Sequence, residues 1–546
     1  MSQKLPILLA VGLMACATKG DTQTEPAASQ DDSGDSPHEE PYEDPGADCD
    51  GDRTYTDAVL CRHISGSLTL GAEAHPSLSG LESLHRVDGD LIINSESPVT
   101  ALSGLQNLTQ VGGTLAIEGT QKLPTLAGLD SLVSPAEGLQ INGNTQLHSL
   151  EGLGSLQACE GWLVEGDDGY PNYYAESRIS HNPVLTDLHG LSGLQRCYRL
   201  TVSHNDAMTG LFDSSEDMDI YGLRIISNPS LTSVEGLQGV AWHYVESADW
   251  PHHLTILDNA SLSDISAVDR LYGLWLQLGG PHIETNLETI AGSQIQSLQI
   301  TDSTLADPSL AIDTGATSLT LNGVSGLTSL DNLEGLRSLS LIDVDGLPDL
   351  SGLDGGDLYS LTIEDMPDLT SLAGIRDLDA HADLTVTGNP QLADLSGLEA
   401  VEGFHRLTIF GNPALTSLSG LDSLTNVTSR IEISDNSALT SLTGLSALTE
   451  VDLSVLVIDN NAVLTSLDGL AGLMAVSFEL TIQDNPELVD ISALHTLQEA
   501  VTTGYGTGLS VLRNIQLCDS LIWDMISAIG VDSVDIGEID GNNEDC

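Results

Sequence analysis

Aromatic side chains are scarce in this 546-residue sequence, and their distribution is uneven. There are only 20 Phe, Trp and Tyr residues, yet twelve fall between positions 160 and 285. Exposed aromatic rings stack on sugar faces and anchor protein interfaces, so a local surplus marks a candidate ligand surface. The expected contact residues are Trp162, Tyr170, Tyr173, Tyr174, Trp242, Tyr244, Trp250 and Trp275. The competing expectation is that these rings form small satellite cores beneath loops. Histidines crowd the same stretch at His243, His252, His253 and His282, but zinc needs three or four converging ligands, and the spacing places none together. Asp48-Cys49-Asp50-Gly51-Asp52 has the alternating carboxylates of a calcium loop, yet Arg53 stands where the turn requires Gly and Val59 where a closing Glu belongs. Neither a metal nor a cofactor is expected. No nucleophile elbow, phosphate-binding loop, zinc-protease helix or paired carboxylate stands at catalytic spacing, so the chain is not expected to be an enzyme.

The elements that must carry these side chains are repeats. Leu384-Thr-Val-Thr-Gly-Asn389-Pro-Gln-Leu-Ala-Asp-Leu-Ser-Gly-Leu398 is followed by Leu407-Thr-Ile-Phe-Gly-Asn412-Pro-Ala-Leu-Thr-Ser-Leu-Ser-Gly-Leu421. Equivalent asparagines recur at Asn436, Asn461 and Asn485, and earlier at Asn182, Asn205 and Asn228. A leucine-rich period of this length is the mark of a solenoid. In Leu-Thr-Ile the outer residues face inward and the middle one outward, the period of a strand. Asn then turns the chain through local side-chain bonds, and Gly permits a corner. The outward threonines Thr362, Thr385, Thr408 and Thr481 suit strands without further purpose. About nineteen coils, from Leu68 to Leu509, would make a rod of about 90 Å at strand spacing. Two insertions, near 165–177 and 245–253, interrupt the repeat at one phase and so project from one side. Trp275 is read as the middle, outward residue of its strand.

An inward Val sits seven residues after the corner Gly in many coils, and Cys159 and Cys197 hold that place. Stacked coils bring such positions within disulfide reach, which predicts Cys159–Cys197 as a coil-to-coil staple. Sequence spacing suggests Cys49–Cys61 and Cys518–Cys546 as pins of the two caps. Past residue 518 the repeat pattern stops. Leu521, Ile522, Met525, Ile526 and Ile529 have helical spacing, and an acidic tail runs to Cys546.

The consensus Leu-x-Ile-x-x-Asn-Pro-x-Leu-Thr-Ser-Leu-x-Gly-Leu resembles the receptor L-domain repeats of growth-factor receptor ectodomains and fungal wall proteins. Cys61-Arg-His-Ile-Ser-Gly-Ser-Leu-Thr-Leu70, with Cys49 before it, is similar to how such domains begin. The resemblance spans roughly residues 49–546 and implies an architecture of parallel β coils rather than a particular activity. It runs to far more coils than one L domain, and residues 333–353 are also similar to ordinary bacterial leucine-rich repeats.

Lys4, an apolar run from Leu5 to Met14 and small Ala15 before Cys16 read as an export signal over residues 1–15. Leu13-Met14-Ala15-Cys16 resembles the lipobox of bacterial lipoproteins, which implies lipidation of Cys16 and, with Ala17 next, an outer-membrane or cell-surface location. Residues 16–48 follow as an acidic tether, with ten Asp or Glu and no Lys or Arg from position 20 to 48. The repeat body is then 49–517 and the cap 518–546. Formal net charge is -64, with 16 Lys+Arg against 80 Asp+Glu, which disfavours nucleic acid and leaves a lipid anchor as the membrane contact. The function expected is binding or adhesion to a glycan or a surface protein, of unknown oligomeric state. The alternatives are a structural envelope protein with no specific ligand and, remotely, a β-helix polysaccharide lyase. Such lyases resemble one another in setting basic residues beside acidic calcium ligands, whereas only Lys19 and Lys122 remain here after the signal, and Arg178, Arg199 and Arg224 are scattered along the chain.

Overall fold

Alternating Leu-x-Leu or Leu-x-Ile triplets bury two side chains per strand, and in a parallel ladder each pair stacks on its counterparts one rung away. The computed structural model describes residues 47–135, 137–159, 164–165, 171–172, 176–213, 218–241, 253–270, 274–353, 355–375, 378–451, 455–497, 499–500, 508–529, 536–544 and 546. Nineteen strands of these residues, from Leu68–Leu70 to Gly508–Leu512, pair in parallel, each with the next. Nineteen rungs bound eighteen turns of a β-solenoid. Arg53–Thr54 precedes the first rung and Ile536–Asp540 follows the last, and among the described residues the ladder does not close on itself.

The inward residues form one continuous apolar core. Leu384, Val386, Leu392, Leu395 and Leu398 of one coil are fully buried, as are Leu407, Ile409, Leu415, Leu418 and Leu421 of the next. Paired residues Leu384, Leu407, Ile431, Leu456 and Leu480 set coil lengths of 23, 24, 25 and 24. Leu276, Leu298, Leu319, Leu339 and Leu361 set shorter ones of 22, 21, 20 and 22. The longer coils carry a second pairing at the Val/Cys position. There Arg196 pairs with Asp219 and Met218 with Val240, and later Gly403 pairs with Asn426, Asn426 with Glu450 and Glu450 with Ala475.

Five residues past the first inward residue of eleven of these rungs lies a second, polar spine. Asn144, Asn182, Asn205, Asn228 and Asn259 are buried, as are Asn389, Asn412, Asn436, Asn461, Asn485 and Asn514. Each except Asn259, which ends the first series, donates its backbone N–H and its side-chain amide to the Oδ1 of the next. From Asn412 to Asn436 these bonds measure 3.1 and 3.2 Å, and from Asn485 to Asn514 they measure 3.0 and 3.2 Å. The same amide reaches back to a carbonyl of the preceding rung, as Asn436 does to Ile409 at 2.9 Å. These asparagines therefore join coils, whereas the sequence suggests a local turn device. The turn is made by the residue before, which is left-handed in coil after coil: Gly388, Gly411, Asp435, Asn460 and Asp484 have φ of 68°, 66°, 59°, 50° and 53°. In three of the short coils the position is apolar instead, with Val324, Val344 and Met366 buried there, while Ser303 holds it in the coil before.

The corner glycines fall into two sets: Gly152, Gly397 and Gly420 take the left-handed corner that the sequence implies, with φ of 112°, 117° and 109°, and others do not. Gly104, Gly190, Gly444 and Gly469 have ordinary φ, and a Cβ on any of them would stand 1.6–2.2 Å from a leucine carbonyl oxygen of the coil before. Close approach between coils, not a special backbone angle, excludes a side chain there.

Disulfides join Cys49 to Cys61, Cys159 to Cys197 and Cys518 to Cys546, with Cα separations of 5.9, 4.8 and 5.6 Å. Cys159 and Cys197 are direct partners in the parallel pairing of adjacent coils. The C-terminal helix Asp519–Ile529 lays Ile522, Met525, Ile526 and Ile529 on the last coil. Its acidic successor is not a loose tail. Ile536–Asp540 returns to the ladder beside Gly508–Leu512, and Asn542 accepts from Asn514 at 2.9 Å to end the asparagine spine. No described helix is long and apolar enough to cross a membrane.

Candidate functional site

Each rung has three outward positions, before, between and after its two inward residues. Parallel pairing turns these into three lanes running along the solenoid. The lane between the inward residues carries Arg178, Thr201, Arg224, Thr255 and Gln277 on successive rungs. The lane before them carries Arg199, Gly222, His253, Trp275 and Ser297. Residues 21 and 25 apart in sequence are thus neighbours, and the arginines that look scattered along the chain meet on three consecutive rungs.

Trp275 is exposed, at 42% of its surface, with its ring edge-on to His253 at 5.3 Å and 85°. It opens its strand rather than occupying the middle, which belongs to Gln277. Leu274-Trp275-Leu276-Gln277-Leu278 offers two alternating registers, and pairing with His253 and Ser297 selects Leu276 and Leu278 as the inward pair. Either register points the indole outward. Of the other expected contact residues, Trp162, Tyr170, Tyr173, Tyr174, Trp242, Tyr244 and Trp250 lie outside the described residues, as do His243 and His252. The strands that bracket the two insertions are described. The first lies between Ala158–Cys159 and Ser177–Ser180, and the second between Val240–Ala241 and His253–Leu257. The strands on which they end, Ser177–Ser180 and His253–Leu257, are rungs of these lanes. Within the first, Val164–Glu165 pairs antiparallel with Pro171–Asn172.

Two features of this face lie outside the sequence expectations. Tyr198 and Tyr221 stack on successive coils with centroids 5.2 Å apart, and the Arg199 guanidinium lies 6.0 Å from the Tyr198 ring. His181 and His204 stack in parallel at 4.5 Å, each at a left-handed corner with φ of 55°. Sequence spacing holds a usable signal for both pairs, because 23 residues is one coil.

Glu176 is the local counter-charge. Burial pushes its carboxyl up, but the Thr201 hydroxyl, the Arg178 guanidinium at 2.9 Å and the charge of Arg224 outweigh that and hold it below its ordinary value. It stays ionised and hydrogen-bonded, which suits a positioning anchor and not a general base. From Glu176 to Glu364 those two residues are the only acids on the three lanes. For a chain with 80 Asp+Glu that is a pronounced local deficit. Beyond Trp275 the lanes continue as Ser297, Ser318, Ser338 and Ser360 beside Gln299, Thr320, Ser340 and Thr362. Of the threonines expected to face outward, Thr362, Thr385 and Thr408 form consecutive partners, while Thr481 lies further on between Val457 and Ser510.

Other charged corners are internally engaged. The Asp52 carboxylate accepts the backbone N–H of Ser67 at 2.8 Å, so it closes the first turn. Among the described residues no group of three or more His, Cys, Asp or Glu is arranged to hold a metal ion. A shallow depression of about 430 Å³ is lined by Asp435, Asp459, Asn460, Asp484, Pro486 and Arg513. Arg513 pairs with Asp484, Asn460 with Asp435, and Gln483 with Asp459. Burial, then the charges of Asp484 and Asp435, raise the Asp459 carboxyl despite the Gln483 bond. A raised acid favours folding when protonated, a benefit lost as pH rises through its folded value. Asp459→Asn is therefore expected to raise the melting temperature at pH 7 and to leave it unchanged at pH 3. Equal shifts at both pH values in circular-dichroism melts would contradict this.

No family model and no curated protein matches the chain. Among solved structures it is similar to one titled "Crystal structure of TLR13-ssRNA13 complex", at 13% identity, covering 84% of this chain and 85% of that chain, with a TM-score of 0.18. Likeness at that score bears on neither ligand nor mechanism, and the solenoid stands on its own ladder.

Proposed function

We propose that this chain is a surface-anchored binding protein, exported by residues 1–15, lipidated at Cys16 in the outer membrane and lifted from it by the acidic stretch to residue 48. Its ligand surface is the outward strand face from Glu176 to Gln277, with the two insertions at its margin. The observation that carries this reading is the composition of that face. In a chain of net charge -64 the described residues of its lanes include three arginines, an exposed tryptophan and one acid. A spacer without a ligand requires no such departure from the surrounding surface, and an exposed indole is costly to maintain without use.

The test uses the labelled full-length chain against whole cells and a panel of envelope glycans. Alongside it runs a variant carrying Arg178→Gln, Arg224→Gln and Trp275→Ala. Saturable binding that weakens by at least about tenfold in the variant, with the melting temperature retained, is the expected result. Binding unaltered in the variant would remove this face from the function. Absence of binding by either protein would leave the structural envelope role in front.

A further inference from the structure

We infer that the ligand of this face is an extended acidic polysaccharide lying lengthwise along the lanes, its carboxylates on Arg178 and Arg224 and a sugar ring on Trp275. This rests on the reading of the strand face as the ligand surface. Arg178 and Arg224 share one lane two rungs apart, about 10 Å at strand spacing. Trp275 lies two rungs beyond Arg224, about 10 Å further, and one outward position to the side. Two cationic forks and an indole at equal steps fit a polymer whose charge recurs regularly, and they fit a compact ligand poorly.

Among the described residues of the lanes, Arg178 and Arg224 share the single carboxylate of Glu176, so the patch keeps a net positive charge within an acidic chain. At physiological ionic strength charges more than about 8 Å away are largely screened, which lets the patch act locally. Arginine pairs bidentately with carboxylates and so fixes orientation as well as charge. The described neighbours of the indole are the His253 ring, the Gln277 amide and the Ser297 hydroxyl. That composition favours a hydroxyl-rich ring polymer over an acidic peptide. Past Trp275 the serine and threonine lanes are uncharged, which allows the polymer to run on without repulsion.

Three probes separate the possibilities: polygalacturonate, its methyl ester and polyglutamate, each titrated against the full-length chain. Polygalacturonate is expected to bind. Its ester, with the same rings and no charge, is expected to bind at least about tenfold more weakly, the least expected from losing one charge-assisted contact. Arg178→Gln with Arg224→Gln is expected to abolish the difference between acid and ester. Trp275→Ala is expected to weaken polygalacturonate and leave any weak polyglutamate binding unchanged. Equal binding of acid and ester, or polyglutamate binding as tightly as polygalacturonate, overturns the inference. So does failure of all three probes while whole cells still bind through this face, an outcome that spares the broader reading. Failure on cells as well removes both.

Discussion

Asn436→Ala is expected to destabilise its coil by on the order of 4 kcal/mol. The side chain is fully buried, and its oxygen accepts both the backbone N–H and the side-chain amide of Asn412. Its own amide donates to Ile409, Ser434 and Asn461. Alanine would orphan the Asn412 N–H and the Ile409 carbonyl in a place that water does not reach. Each such group costs about 1–3 kcal/mol, and the void adds to that. A long array does not unfold as one unit, so the effect belongs to neighbouring coils rather than to the whole chain. Amide hydrogen exchange over residues 407–464 should accelerate by roughly a thousandfold, while residues 68–142 stay unchanged. Exchange unaltered by the alanine variant would mean that the spine is incidental to stability.

The second large effect is expected at Gly469. A Cβ there would stand 1.6 Å from the Leu442 oxygen and 2.1 Å from its carbonyl carbon. Backbone cannot rotate away as a flexible side chain can, so Gly469→Ala must push adjacent coils apart along their whole width. About 3 kcal/mol is expected, at the upper end of overpacking costs. Gly210→Ala is the control. Its nearest neighbour would be Asp187 Cβ at 4.0 Å, and its φ is ordinary, so it should be neutral or slightly stabilising. Urea unfolding followed by circular dichroism separates the two. Equal midpoints would show that coil contact is looser than this geometry requires.

Much of the fold is legible in the residues because a 2-residue alternation inside a 23- to 25-residue period leaves few ways to bury the leucines. The partners of the asparagines are not legible. Asn436 and Asn461 look like turn residues because Asn does favour turns, and the bond that matters joins positions 25 apart. Ile536-Gly-Glu-Ile-Asp540 is hidden as a rung because Gly and Glu occupy its outward places and no leucine pattern precedes it. At the candidate site, an excess of aromatics is visible by counting. The arginine cluster is not, since Arg178, Arg199 and Arg224 fall on three consecutive rungs only once coil lengths are known to the residue. Trp275 shows the remaining ambiguity, because five residues with three leucines fit the ladder two ways.

The directional asparagine spine bears on how such a chain changes over generations. Each asparagine offers its neighbour the same acceptor that it would offer any other, so the junctions from Asn389 to Asn514 are interchangeable. Recombination that removes or duplicates one whole period there, such as the 24 residues from Asn412 to Asn436, rejoins like to like. At the border, Met366 donates only its backbone N–H to Asn389, so a cut there does not rejoin like to like. Length is therefore a heritable variable in the asparagine-bearing blocks and a fixed quantity in the block between them. Lineages of this protein should differ in how far the face is held from its ends, in steps of one coil, while the arginine and tryptophan rungs keep their mutual spacing.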